Sequence, residues 1–361
     1  MEKSIIFYNL NKILVEKFMK SHQVTIKDIA KMLHISPSTV SRALKDHPDI
    51  NPQTKKNVQE LAKQLRYKPN KVALSLLQQE SKIIGVIIPE IIHHFFSTVI
   101  SGIEKVANDA GYHIIICQSN ESYLKEVENV QALLSSNIDG FIISMAKTTT
   151  RYDHFKNIEE IGVPVVFFDR SCDEIKADKV IVEDYIGAYN ATMHLIENGC
   201  KNIVHFAGPQ NLAIGIDRKN GFLDAIKEKR FSIHDYTVQY CDSFNHAQKL
   251  IPELLYLHPE IDGIFAVNDE TAAGSMIAIK KLNKNIPNDI AIVGFTNSFI
   301  SYMTDPELTT VDQKGYEMGQ NAAQLLVNRM QTYEDFEPIT KVLNTELIVR
   351  KSSVRISEEL V

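Results

Sequence analysis

Thr25, Ser36, Pro37, Ser38, Thr39, Ser41 and Arg42 place a run of hydroxyls and one guanidinium on short, apolar-faced segments near the start of the chain. That is chemistry for reading nucleic acid. A guanidinium on an exposed helix face binds guanine O6 and N7 together, worth about 1–3 kcal/mol of base discrimination. Ser and Thr hydroxyls serve phosphates or bases less selectively. Other reactive constellations do not assemble. Cys117, Cys172, Cys200 and Cys241 stand far apart without C-x-x-C spacing, as reduced buried thiols do. His93 and His94 are adjacent, cannot share a helical face and have no third ligand spaced to help, so they read as loop residues at a rim. There is no G-x-S-x-G elbow, phosphate-binding G-x-x-x-x-G-K-[ST] loop, H-E-x-x-H or G-x-G-x-x-G. The expectation is therefore a chain that is not an enzyme, with no metal and no cofactor.

Capping signals place the candidate DNA-reading residues on helices. Thr25 precedes IKDIAKML with Asp28 three residues on, so it caps a helix whose apolar face is Ile26, Ile29, Ala30 and Leu33. Ser36 caps PSTVSRAL, and Pro37 takes the first-turn position where its missing N–H costs nothing. Val40 and Leu44 then face inward and Arg42 outward. A third helix, capped by Asn51, carries Val58, Leu61, Ala62 and Leu65 at helical spacing. This is a helix-turn-helix, whose second helix lies in the major groove. In YKPNKVALSLLQQES, Asn70 caps barely two turns bearing Val72, Ala73, Leu76 and Leu77. Isolated helices need about 12–15 residues, so this one forms only with support, as when two copies press together on DNA and drive a leucine between base steps.

The whole chain has 361 residues, 44% hydrophobic and 23% charged, enough for two or three globular domains. No apolar run approaches the roughly 20 residues that cross a bilayer, and the first residues lack a signal-peptide pattern. A cytoplasmic, non-membrane protein is expected. The net charge of −6 conceals an asymmetry: residues 20–80 carry 11 basic and 5 acidic side chains, residues 81–361 carry 25 and 38. A basic head suited to a polyanion thus precedes an acidic body that a polyanion repels, which argues for two jobs.

From residue 82 on, short β-rich runs alternate with helix-period segments, the mark of βαβ units. The runs are IIGVII (83–88), HIIIC (113–117), DGFIIS (139–144), PVVFF (164–168), NIVHFAG (202–208), DGIFAV (262–267) and AIVGF (291–295). Helices are expected at about 97–110, 122–136, 184–198, 215–230, 245–257, 269–282 and 315–331. The expected fold class is α/β: an all-α helix-turn-helix head plus a two-lobed body of doubly wound parallel sheets, with ligands at the strand ends facing the cleft. The expected layout is an extension over 1–20 (Met19 being a candidate initiator), the head over 21–67, a hinge over 68–81, the body over 82–350 and a tail over 351–361. The two lobes are expected to interleave near 175–182 and 295–335.

VTIKDIAKMLHISPSTVSRAL, YKPNKVALSL, IIGVIIPEI, FFSTVISGIE, FFDR, RKNGF, AVNDETAAG, IPNDIAIVGF and PELTTVDQ occur in that order. From about Val24 to Arg350 the sequence resembles the lactose-repressor (LacI) family of bacterial transcription regulators. The resemblance implies a homodimer, or a tetramer of dimers, on a pseudo-palindromic operator, and a body similar to periplasmic sugar-binding proteins with a small effector in its cleft. It puts base reading on Pro37, Ser38 and Arg42, and a leucine wedge on Leu76. It puts effector contacts on Phe95 and Phe96 as an aromatic platform, and on Asp169, Arg218, Asn268 and Gln313. Ser119 and Thr296 complete that set. Taken without the family, Arg218 reads as a loop residue after a strand, open to a surface salt bridge. Two departures stand out: Thr296 replaces the family's usual aspartate, and Leu74 its usual hinge arginine. The implied function is a regulator, most simply a repressor, controlled by a sugar or sugar derivative. The alternatives are a ligand-binding protein without a transcriptional role, or a regulator answering a purine or phosphorylated metabolite. The short sequence after Arg350 has no heptad run, which favours a dimer.

Overall fold

The computed structural model describes residues 24–67, 80–234, 237–331 and 337–355. Asn70, Leu74 and Leu76, and the expected extension over 1–20, lie outside them. The chain divides into two compact units between Ser81 and Lys82.

In the first unit, α1 (Ile26–Met32), α2 (Pro37–Leu44) and α3 (Pro52–Gln64) follow one another. Each start is capped by the side chains its sequence offers. The Asp28 carboxylate accepts from the Thr25 N–H at 2.8 Å and its hydroxyl at 2.6 Å, placing negative charge at the positive helix end. Ser36 Oγ accepts from the Thr39 N–H at 3.0 Å, and Asn51 Oδ1 from the Gln53 N–H at 2.8 Å. Ile29, Ala30, Val40, Ala43, Val58, Ala62 and Leu65 close a core among the three helices.

The second unit holds two lobes. The first is built from β1 (Ile83–Ile88), α4 (His94–Asp109), β2 (His113–Gln118), α5 (Tyr123–Ser135), β3 (Gly140–Ile143), α6 (Asp153–Ile161), β4 (Val165–Phe168) and β5 (Asp178–Val182). The second contains α7 (Asp184–Glu197), β6 (Ile203–Ala207), α8 (Ala213–Glu228), β7 (Val238–Tyr240), α9 (Phe244–Leu257), β8 (Gly263–Ala266), α10 (Asp269–Lys281), β9 (Ala291–Thr296), α11 (Ile300–Met303) and β10 (Thr309–Asp312). The chain returns to the first lobe with α12 (Gly315–Gln331) and β11 (Thr340–Leu343), then ends in the second with β12 (Glu346–Ile348). Strand order is β11-β5-β4-β3-β1-β2 in one lobe and β12-β10-β9-β8-β6-β7 in the other. Every pairing is parallel except β10 with β12. Helices therefore cover both faces, and central strands such as β3, β4, β8 and β9 are apolar almost throughout rather than alternating. Where α4 crosses α12, a Cβ on Gly319 would collide with the Val99 carbonyl oxygen, so only glycine lets the backbones touch. No helix among the described residues is long and apolar enough to cross a membrane.

The structure locates the lobe crossings to the residue. Residues 178–182 are a strand of the first lobe, paired with β4 and β11, and β9 and β10 both belong to the second. The chain changes lobe at Glu183, at Gln313–Lys314 and again at Asn344–Thr345. Nor is 351–355 a tail. Ser352 Oγ donates to the Ile292 carbonyl at 2.6 Å and accepts from the Thr309 N–H at 2.8 Å, while Ser353 Oγ lies 2.6 Å from Thr309 Oγ1 and 2.7 Å from His194 Nε2. Arg355 donates to the carbonyls of Gly199 and Asp262 at 3.0 and 2.6 Å. Leaving a buried polar group unpaired costs about 1–3 kcal/mol. Truncation after Arg350 should thus lower denaturant stability by about 2–6 kcal/mol; an unchanged unfolding midpoint would restore the reading of 351–355 as a tail.

Candidate functional site

The head presents Arg42 in the last turn of α2, exposed and without a hydrogen bond or ion pair among the described residues. The hydroxyls around it are less free than the sequence suggests. Ser36 Oγ lies 2.7 Å from Ser38 Oγ and 2.8 Å from Thr39 Oγ1, so three hydroxyls share one knot at the helix start. Thr25 is tied to Asp28 in the same way. Ser38 is exposed, Ser41 half-buried, and Pro37 opens the helix. Arg42 is thus the side chain most open to a base.

In the body, the strands of both lobes end at one cleft. Ser119 follows β2, Asp169 follows β4, Asn268 follows β8, and Thr296 is the last residue of β9. Asp169 and Thr296 hold positive φ, 57° and 128°, conformations that cost non-glycine residues energy and persist only where the surroundings enforce them. Gln313, on a crossing segment, links the two: its Oε1 accepts from Thr296 Oγ1 at 3.0 Å and its Nε2 reaches Asp169 Oδ1 at 3.5 Å. One side chain therefore joins the ends of a strand from each lobe.

Two arginines flank this link. Arg170 gives Nη1 to both oxygens of Glu121, at 2.9 and 2.8 Å, and to the Met145 carbonyl at 3.2 Å. Its Nε lies 3.7 Å from Asp169 Oδ2 and is buried without a hydrogen-bond partner. Arg218 donates from Nε to Asp184 Oδ1 and from Nη1 to the Val267 carbonyl, both at 2.7 Å, with its guanidinium 3.8 Å above the Phe295 ring. Burial pushes the Asp184 carboxyl up to about 6 against the pull of Arg218, so it is ionised at neutral pH. Asp169 is raised too, by burial, with Arg170 and Arg218 opposing. Three carboxyl groups face two guanidiniums here, and each arginine already has an acidic partner. Such a site disfavours an anion and suits a neutral molecule rich in hydroxyls.

Several expected contacts stand differently. Phe95 and Phe96 are not an open platform: they are 8% and 3% exposed, meet edge to face at 5.2 Å between centroids, and belong to the first lobe's core. Phe96 also meets Phe168 at 6.3 Å and underlies Arg170 at 5.9 Å. Arg218 lies within α8, not in a loop, and its salt bridge is buried, not superficial, at 4% exposure. The Asn268 amide caps α10, accepting from the Thr271 N–H at 2.8 Å and donating to the Asp242 carbonyl at 3.2 Å. Ser119 is fully buried, with Oγ 3.4 Å from the Ile88 carbonyl. Arg170, Glu121 and Asp184 were not singled out in the sequence. FFDR carried the first of them, one residue beyond Asp169. Among the described residues no three His, Cys, Asp or Glu side chains group to hold a metal.

Residues 25–70 match the sequence profile of bacterial regulatory proteins, lacI family, and residues 81–346 that of periplasmic binding proteins and sugar binding domain of LacI family. The chain is 35% identical over 329 residues to a ribose operon repressor of Halalkalibacterium halodurans, covering 91% of this chain and 97% of the relative. It is 31% identical over 309 residues to the catabolite control protein A of Priestia megaterium, covering 85% and 92%. A LacI family transcriptional regulator from Enterococcus faecium, solved with bound ribose, superposes with a TM-score of 0.68 at 29% identity, over 76% of this chain and 100% of that one.

Breaking a buried pair by removing one partner costs about 3–5 kcal/mol, whereas replacing both with apolar groups is often neutral. Arg218→Ala should accordingly destabilise the body by about that amount, and Arg218→Met with Asp184→Leu should regain most of it in urea unfolding. A single variant as stable as the parent would mean that the pair is solvated.

Proposed function

The chain belongs to the LacI family of bacterial regulatory proteins and is a DNA-binding transcriptional regulator, not an enzyme; on that premise we propose that it represses transcription under the control of a neutral pentose, of which D-ribose is the type, bound in the cleft. The observation that carries the effector class is that the two arginines of the site, Arg170 and Arg218, are already paired with Glu121 and Asp184. A phosphorylated metabolite would have to compete with those carboxylates for either guanidinium. Ribose enters through the relative named as a ribose operon repressor and the solved regulator that holds it. Asp169 and the free Nε of Arg170 supply the first lobe's contacts, with Arg218, Asn268 and Gln313 opposite. Thr296 offers only a neutral hydroxyl that already donates to Gln313, so charged recognition of sugar hydroxyls rests with the first lobe and Arg218.

The regulator acts as a homodimer in the cytoplasm, two heads reading the halves of a pseudo-palindromic operator. Arg42 reads bases, while the hydroxyls of Ser36, Ser38, Thr39, Ser41 and Thr25 and the side chain of Asn70 contribute phosphate contacts, and Leu76 wedges the central step. The sugar acts by binding one arrangement of the lobes better than the other, since a ligand moves an equilibrium only by its differential affinity.

D-Ribose should raise the unfolding temperature and change operator affinity in fluorescence anisotropy. At 100 times its dissociation constant it should add about 2.7 kcal/mol of stability. Asp169→Asn, which keeps the volume and removes the charged acceptor, should weaken ribose about 10- to 100-fold, the value of a hydrogen bond to a charged group. Stabilisation by a sugar phosphate or a purine in place of any pentose would overturn the effector class. On the DNA side, Arg42→Ala should relax base choice at one position per half-site by about 1–3 kcal/mol while sugar binding stays unchanged; equal weakening on every sequence would place Arg42 on phosphate.

A further inference from the structure

His93 sits at the cleft rim as the N-cap of α4, and both of its ring nitrogens face carboxylates. Nε2 lies 2.9 Å from Glu90 Oε2, in its own lobe, and Nδ1 lies 3.4 Å from Glu270 Oε1, in the first turn of α10 across the cleft. A neutral imidazole has one N–H and one lone pair, so it can satisfy one carboxylate and must turn a lone pair on the other. Only the imidazolium donates to both. We propose that protonated His93 is a clasp between the lobes, joining Glu90 of the first to Glu270 of the second, so that closing the cleft takes up a proton.

The surroundings agree. Glu90 and Glu270 are the acidic groups facing His93. Its neighbour His94 lies close enough to act on the Glu270 carboxylate. Asp269 turns away into the second lobe, held by the Ser298 N–H at 2.6 Å and the Thr310 hydroxyl at 2.5 Å. The N-terminal end of α4 opposes a positive charge at its cap, while the N-terminal end of α10 favours the Glu270 carboxylate. The balance holds the His93 imidazole above its ordinary value of 6.5, chiefly through its hydrogen bond to Glu270 and against the effect of burial. Three further ties between the lobes involve no histidine: Lys147 Nζ to Asp242 at 3.2 Å, Asn211 Nδ2 to the Lys147 carbonyl at 2.7 Å, and Gln313 to Asp169. His93 therefore supplies the proton-linked part of closure. Because its value is higher in the closed arrangement, the clasp is fully present below the open-state value and is lost as pH rises through the closed-state value.

This regulation rests on the cleft being the effector site, but its test does not need the effector. In the full-length protein, the His93 imidazole is titrated by NMR, its signal assigned by loss in His93→Gln. The width of the cleft is followed by energy transfer between dyes at Lys125→Cys and Lys249→Cys, exposed positions on α5 and α9, with Cys117→Ser and excess unlabelled chain to suppress transfer between protomers. His93 should titrate above 6.5, the dyes should separate between pH 5.5 and 8.5 with that same midpoint, and His93→Gln should hold one distance throughout. Glu270→Gln should lower the midpoint. A separate titration with D-ribose should weaken with rising pH by at most about tenfold per unit of difference between the open and closed values. His93 titrating at or below 6.5, or a distance profile that survives in His93→Gln, would overturn the clasp. Absence of ribose binding alone, with the imidazole and distance results as expected, would overturn the pentose reading and leave the clasp standing.

Discussion

A guanidinium removed from water must be met by a carboxylate and by carbonyl oxygens, and the second lobe's wall of the cleft is organised around meeting that demand for Arg218. Asp184, its partner, is the first residue of α7, immediately after the chain enters this lobe at Glu183. The Val267 carbonyl that takes the other hydrogen bond ends β8, and the Phe295 ring beneath lies on β9. One side chain thus fixes a lobe crossing, two helices and two strand ends against each other. Rigidity of that kind is what lets Thr296 and Asn297 hold positive φ next to it.

The second organising feature is the position of Gln313. It lies where the chain passes from β10 to α12, and so on the line along which the lobes reorient, yet its amide is bonded to a strand end in each lobe. A sugar hydroxyl that bonded to Asp169 would compete for the oxygen that Gln313 reaches. Occupancy of the cleft is in that way felt directly at a crossing segment, without any longer path through the core. The packing on either side leaves little slack to absorb such a change locally: α4 and α12 touch through Gly102 and Gly319 in one lobe, and Gly221 of α8 packs on the Tyr185 backbone of α7 in the other. Close-packed cores pass displacement on to boundaries, and here the boundary is the cleft.

The helices were legible because capping and period coincide in the sequence. The expected segment 315–331 matches α12 residue for residue, and α1 to α3 start at the caps that Thr25, Ser36 and Asn51 announce. Strands that read as continuous apolar runs were legible for the same reason. Missed were β5 (DKVIV), β7 (VQY), β10 (TTVD), β11 (TKVL) and β12 (ELI), short segments in which polar residues interrupt the apolar ones and whose strand character is completed by their sheet partners. The tail misled because Ser352 and Ser353 look like loop composition, while their hydroxyls are spent inside the second lobe. In the cleft, residue type identified Asp169 and Gln313, but burial is a property of the assembled sheets. No pattern in the sequence shows that Phe96 is covered or that Arg218 already has a partner.

The charge asymmetry bears on how the switch can work. The positive excess lies in the first 80 residues, chiefly 20–80, and the acidic body over 81–361 is repelled by DNA, so counterion release on binding is owed to the heads. An effector therefore need not alter the body's own attraction to DNA. It is enough to make two heads unable to engage their half-sites together. Taking such an equilibrium from 1:99 to 99:1 requires about 5.5 kcal/mol of differential binding. A single proton contributes about 1.36 kcal/mol for each unit by which its pKa differs between the states. The sugar, with contacts on both lobes, is on that scale the switch, and the His93 clasp adjusts the sugar concentration at which it is thrown.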